Sequence, residues 1–94
     1  MAATKPQSPP HLRAYLAILP SNRRKTTGEI AEGIGMNREA LAARLRGELW
    51  ISLTEAQLLC RYLEESYATL FPGNSGIDPQ DIETVRIARE VGAA

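Results

Sequence analysis

The sequence predicts an all-α domain of four to five short helices followed by an extra C-terminal helix. Three observations carry this expectation. Leu, Ile and Ala dominate while aromatic residues make up only 5% and no extended β-branched run appears, a composition that favours helices over strands. Apolar residues recur three and four apart in several short stretches. Most of those stretches begin at a residue suited to capping a helix. With 94 residues the chain suffices for one small domain and not for two, so its core has to be economical.

Residues 1–8, MAATKPQS, carry no periodicity and read as a disordered arm. Ser8 followed by Pro9 and Pro10 reads as a helix start, and Leu12, Tyr15, Leu16 and Leu19 give a first helix over about 9–19. Pro20 ends it. Thr26-x-x-Glu29 is a capping box, so a second helix is expected over about 27–33, with Ile30, Ala31 and Ile34 inward. Gly35 allows a sharp turn at positive φ, and Asn37 is a good cap for a third helix starting at Arg38. Leu41 and Leu45 form that helix's buried stripe and Gly47 closes it. Ser52-x-x-Glu55 is a second capping box, opening a fourth helix over about 53–66 that buries Leu53, Ala56, Leu59, Cys60 and Leu63. Tyr67 to Phe71 is a short apolar finish, so the domain spans 9–72. Residues 73–77 read as a linker. Asp78-Pro79 then opens a last helix over 79–91, within a C-terminal segment 78–94 that carries Ile82, Val85 and Ala88 on one face. That face either docks on the domain or forms a dimer contact, because about 13 residues of helix are marginal alone in water.

The net charge is zero, yet its distribution is uneven. Residues 11–50 hold seven basic side chains (Arg13, Arg23, Arg24, Lys25, Arg38, Arg44, Arg46) against four acidic ones. Residues 51–94 hold three basic against seven acidic. A neutral total therefore conceals a basic end able to meet an anionic partner. Cys60 is the only cysteine, which excludes an internal disulfide or a cysteine-based zinc cluster, and its apolar flanks suggest a buried structural thiol. His11 has no acidic, cysteine or histidine neighbour in sequence, so no metal site is expected. No phosphate-cradling glycine loop, His/Cys/Asp cluster or nucleophile elbow is present. A non-enzyme without cofactor or evident small-molecule ligand is expected. No apolar stretch approaches the ~18–20 residues that cross a bilayer, and no signal peptide precedes the domain, so no membrane role is expected.

Residues 38–46, projected at about 100° each, place Leu41 and Leu45 on one side and Glu39, Ala42, Ala43 and Arg46 on the other. An outward face built on two alanines allows close approach to another surface. The major groove of DNA, roughly 12 Å wide, admits one α-helix on that condition.

The stretch TTGEIAEGIGMNREALAARLRGE, residues 26–48, resembles the helix-turn-helix of the lambda repressor and Cro superfamily, the XRE type. Counting from Thr27, Ala31, Gly35, Leu41 and Gly47 fall at the family's small, glycine, aliphatic and closing-glycine places. The likeness extends over about residues 11–72, including the Tyr67–Phe71 ending, while Arg44 stands where many members carry Ile or Val. The resemblance implies a lambda repressor-like fold and a sequence-specific transcription regulator. Such a protein binds double-stranded DNA as a homodimer on a palindromic operator, in the cytoplasm of a bacterial or phage-infected bacterial cell. It further implies base contacts from Arg38 and Glu39, with Asn37 beside them at the helix start, and thymine-methyl contact from Ala42 or Ala43. Phosphate contacts fall to Thr27 at the start of the second helix and to Arg24, Lys25 and Arg46. Each of these side chains also has an ordinary reading as solvated surface, and Glu39 as a first-turn acid on its own helix dipole. Arg44 is expected to lay its stem over the core, and Trp50 to fill the gap between the third and fourth helices. The competing function is a protein-interaction module on the same fold, either antitoxin-like or a phage protein that binds a host factor. The zero net charge and the acidic second half favour that alternative.

Overall fold

A computed structural model describes residues 6–92, with side-chain surroundings through residue 88. The arm's first five residues and the last two of the tail lie outside the described residues. Those described form six α-helices and two single-turn 3-10 segments, with no β-structure beyond one isolated bridge.

Helix α1 spans Pro10–Ala17, two residues shorter at its end than the periodicity suggests. Pro9, not Ser8, occupies the cap position, and no side chain caps the helix. The Ser8 hydroxyl instead donates to the Leu45 carbonyl at 2.7 Å and accepts from Arg13 at 3.0 Å. The two prolines supply fixed backbone without donors, so the serine is released for a long-range contact. Leu12 is fully buried, and Leu19 is buried although it lies beyond the helix.

Helix α2, Thr27–Ile34, starts at the expected capping box. Glu29 N donates to Thr26 Oγ1 at 3.1 Å and Thr26 N donates to a Glu29 carboxylate oxygen at 3.0 Å. Ile30, Ala31 and Ile34 are its buried residues. Gly35 then adopts φ 73°, ψ 31°, and Met36 N returns to the Ala31 carbonyl at 2.8 Å. This turn delivers the chain to α3, Arg38–Leu45, whose cap Asn37 accepts from Glu39 N at 2.8 Å. Leu41 is buried, Leu45 half-buried, and Gly47 follows at φ 84°.

Helix α4 runs from Leu53 to Leu63 behind the Ser52–Glu55 capping box and buries Ala56, Leu59 and Leu63, with Leu53 and Cys60 only half-buried. It stops three residues earlier than expected because Glu64 adopts a left-handed conformation, φ 55°, ψ 45°. No glycine marks that stop in the sequence. Ser66 caps the single-turn helix α5, Tyr67–Leu70, by accepting from Thr69 N at 3.2 Å. Leu70 and Phe71 are completely buried.

The stretch 73–77, which the composition suggests as a linker, is fastened to the body. Ile77 is 2% exposed and forms a parallel bridge with Ile51. Ile51 N donates to the Gly76 carbonyl at 3.0 Å, and Asp78 N to the Ile51 carbonyl at 2.9 Å. The residues flanking Ile77 thus satisfy both backbone polar groups of Ile51, while the two isoleucines bury their side chains. Helix α6, Pro79–Gly92, is then tied to α4 where the Asp81 carboxylate accepts from Leu53 N at 3.0 Å. Trp50 is half-buried on the same side, lining a depression with Ile77, Pro79 and Ile82.

Candidate nucleic-acid interface

The α2–turn–α3 unit brings together most of the residues singled out from the sequence. Asn37, Arg38 and Glu39 are exposed at the start of α3. Arg38 crosses the turn: a Cβ placed on Gly28 would lie 3.6 Å from Arg38 Cδ. The arginine stem thus lies alongside Gly28 in the first turn of α2, where half-buried Thr27 also sits. Arg38 has neither a hydrogen-bond nor an ion-pair partner among the described residues. Its charge is accordingly available to a ligand. Asn37 spends its side-chain oxygen on the Glu39 amide, which leaves only its amino group for outside contact.

Ala42 and Ala43 are half-buried, lower in the surface than a simple helical projection suggests. The helix closes just beyond them at Gly47, Glu48 N donating to the Ala43 carbonyl at 2.9 Å. Arg46 is exposed yet engaged, its Nε 2.5 Å from a Glu48 carboxylate oxygen. That hydrogen bond and charge raise the Arg46 pKa, and the same pairing holds Glu48 below the usual carboxylate range. Arg24 Nε donates to the Leu19 carbonyl at 2.9 Å, securing the loop before α2. Lys25 lies over the Tyr62 ring, 5.9 Å from its centroid, a cation–π separation. Thus Arg24, Lys25 and Arg46 each have a contact within the chain that an incoming anion would share or displace.

Three partners escape a reading by sequence: Glu48 for Arg46, Tyr62 for Lys25 and Glu55 for Arg44. Glu48 left a faint signal, an opposite charge two residues past Arg46 across a glycine turn. The others join Arg44 of α3 and Lys25 of the loop before α2 to residues of α4, and leave none. The Arg44 stem does lie at the core edge, with its Nε donating to Glu55 Oε1 at 2.9 Å.

The face considered for docking or dimerisation is divided. Ile82 is half-buried against the core and, with Val85, Leu53 and Tyr67, lines an open groove of about 620 Å³ between α6 and the α4–α5 corner. Ala88 is exposed and does not line the groove. Val85 and Ile87 remain 38% and 48% exposed, so α6 is only partly covered by its own chain. Among the described residues no group of three or more His, Cys, Asp or Glu side chains converges on a point where a metal could bind, and no helix is long and apolar enough to cross a membrane. Neither a family model, nor a curated protein, nor a solved structure matches the chain.

Proposed function

We propose that this chain is a sequence-specific double-stranded DNA-binding protein of the lambda repressor and Cro type, regulating transcription with α3 in the major groove. The observation that carries the reading is Arg38: an exposed, unpaired guanidinium at the first turn of a short capped helix, beside the N-terminus of α2. A groove-entering helix presents its first-turn residues to the bases. Arginine there pairs bidentately with guanine O6 and N7, and Glu39 accepts from cytosine N4. The first turn of α2, with Thr27, suits a phosphate, since its free N–H groups and dipole favour negative charge. Lys25, Arg24 and Arg46 add phosphate contacts that position the protein without specifying sequence. A homodimer reads two half-sites about one helical turn apart.

Selection of binding sites from random duplex DNA, followed by salt titration of the winner, tests this. A regulator returns a short palindromic site, and Arg38→Ala loses about 1–3 kcal/mol at one base position. Enrichment of no sequence despite salt-sensitive binding would instead mean architectural binding through phosphates alone. The protein-interaction alternative draws support from the Arg46–Glu48 pair, which removes one free cation from the interface. No DNA retention even at low salt would favour it.

A further inference from the structure

Helix α3 is eight residues long and anchored by one buried side chain, Leu41, with Leu45 half-buried one turn on. The buried contact near the middle of this short helix acts as a pivot, and tilt about it is resisted by what holds the ends. At the start, Asn37 spends its side-chain oxygen on the helix's own backbone. At the far end, the Ser8 hydroxyl donates to the Leu45 carbonyl at 2.7 Å, and Arg44 reaches out of the helix to α4. Its Nε donates to Glu55 Oε1 at 2.9 Å and a terminal nitrogen donates to the Ala40 carbonyl at 2.7 Å. Glu55 is itself fixed, because the same oxygen accepts from Ser52 N at 2.9 Å while Glu55 N donates to Ser52 Oγ at 3.0 Å. The Arg44 and Glu55 side chains are 18% and 22% exposed, against 54% and 58% for Arg46 and Glu48. Solvent therefore screens the inner pair much less.

We propose that Arg44 is a positioning residue: clamped by Glu55, it sets the tilt of α3 and so the base edge that Arg38 meets. This rests on the DNA-binding reading above. Leu41, the pivot, stands three residues from Arg38, about 4.5 Å along a helix, so a rocking of about 10° carries the start of the arginine by about 0.8 Å. That exceeds the roughly 0.5 Å within which a recognition group must be held. A guanidinium so displaced keeps one hydrogen bond to guanine and loses the other. Phosphate contacts, made by long flexible cations, tolerate the same shift. Loss of the clamp therefore lowers discrimination more than affinity.

Two variants test the clamp: R44M keeps the aliphatic stem and removes the guanidinium, and E55Q keeps a capping acceptor for Ser52 N while removing the charge. In both, the affinity ratio between the selected site and one altered at the base read by Arg38 should fall about tenfold, with an unchanged salt slope. Amide hydrogen exchange over 42–45 in the free protein should accelerate, while exchange over 30–34 stays as in the parent. Discrimination equal to the parent's in both variants overturns the proposal. So does uniform weakening of all sequences with a salt slope flatter by about one, which would make Arg44 a phosphate contact. Should the parent select no DNA at all, the DNA-binding reading falls, and unchanged exchange over 42–45 in R44M would overturn the clamp independently.

Discussion

Two glycines that share a positive φ make unequal predictions about substitution. Gly35 has φ 73° and Gly47 φ 84°, both in the left-handed region. Alanine there costs about 1–2 kcal/mol from the clash of Cβ with the following carbonyl. At Gly35 nothing lies within 4 Å of the added carbon, so that strain is the whole effect. At Gly47 the Cβ would stand 2.5 Å from Ser8 N, 3.1 Å from Gln7 C and 3.2 Å from Ser8 Cα. These are backbone atoms and cannot rotate away, so residues 7–8 must lift, with the Ser8 Oγ bond to Leu45 at risk. Overpacking of this kind adds about 1–3 kcal/mol. Gly47→Ala should therefore cost about 2–5 kcal/mol and Gly35→Ala about 1–2 kcal/mol. Urea unfolding measures both, provided the slope against denaturant is unchanged. Removing residues 1–8 should bring Gly47→Ala down to the level of Gly35→Ala, as expected when two perturbations share one contact. Equal costs in the full chain, or a gap that survives removal of the arm, would refute the packing of that arm across the end of α3.

Glu48→Gln frees Arg46 from its carboxylate partner, so binding to any duplex should strengthen at low salt and the salt slope should steepen by about one; an unchanged slope would mean that Arg46 never meets a phosphate. Hydrogen bonds from Thr26 and the charge of Lys25 hold Glu29 below the ordinary value of 4.5, and Arg86 does the same for Glu83. Because these folded values are lowered, their stabilisation is complete above about 4.5 and is lost as pH falls through them; thermal unfolding from neutral to acid pH should show that loss. Thr26→Ala should cost about 1 kcal/mol and move the Glu29 titration, followed by NMR, back upward. Burial, helped by the charge of Glu65, pushes the Cys60 thiol up, so alkylation should be slower in the folded protein than in denaturant; equal rates would contradict its place at the core edge.

Local chemistry was readable wherever its signal was local. The Thr26–Glu29 and Ser52–Glu55 capping boxes, the turn at Gly35 and the Asn37 cap are each written within four residues, and each has the expected hydrogen bonds. Arg38 and Thr27 belong to the same class, since a short turn between two capped helices leaves them few places to go. The stop of α4 at Glu64 was not readable, because a left-handed residue that is not glycine carries no mark in the sequence. Residues 73–77 have the composition of a linker and the burial of a core segment.

What the amino-acid order determined alone is the helical class, the two capping boxes and the amphipathic faces that bury Ile30, Leu41 and Leu59. These depend on spacing along one chain segment, and the spacing is the sequence itself. Tertiary structure decided which charges remain free. It paired Arg46 with Glu48, laid Lys25 on Tyr62, tied Arg44 to Glu55, and left Arg38 open beside Gly28. Two of those contacts, Lys25 with Tyr62 and Arg44 with Glu55, join residues brought together only by packing. A charged side chain's availability therefore depends on neighbours that no local pattern names.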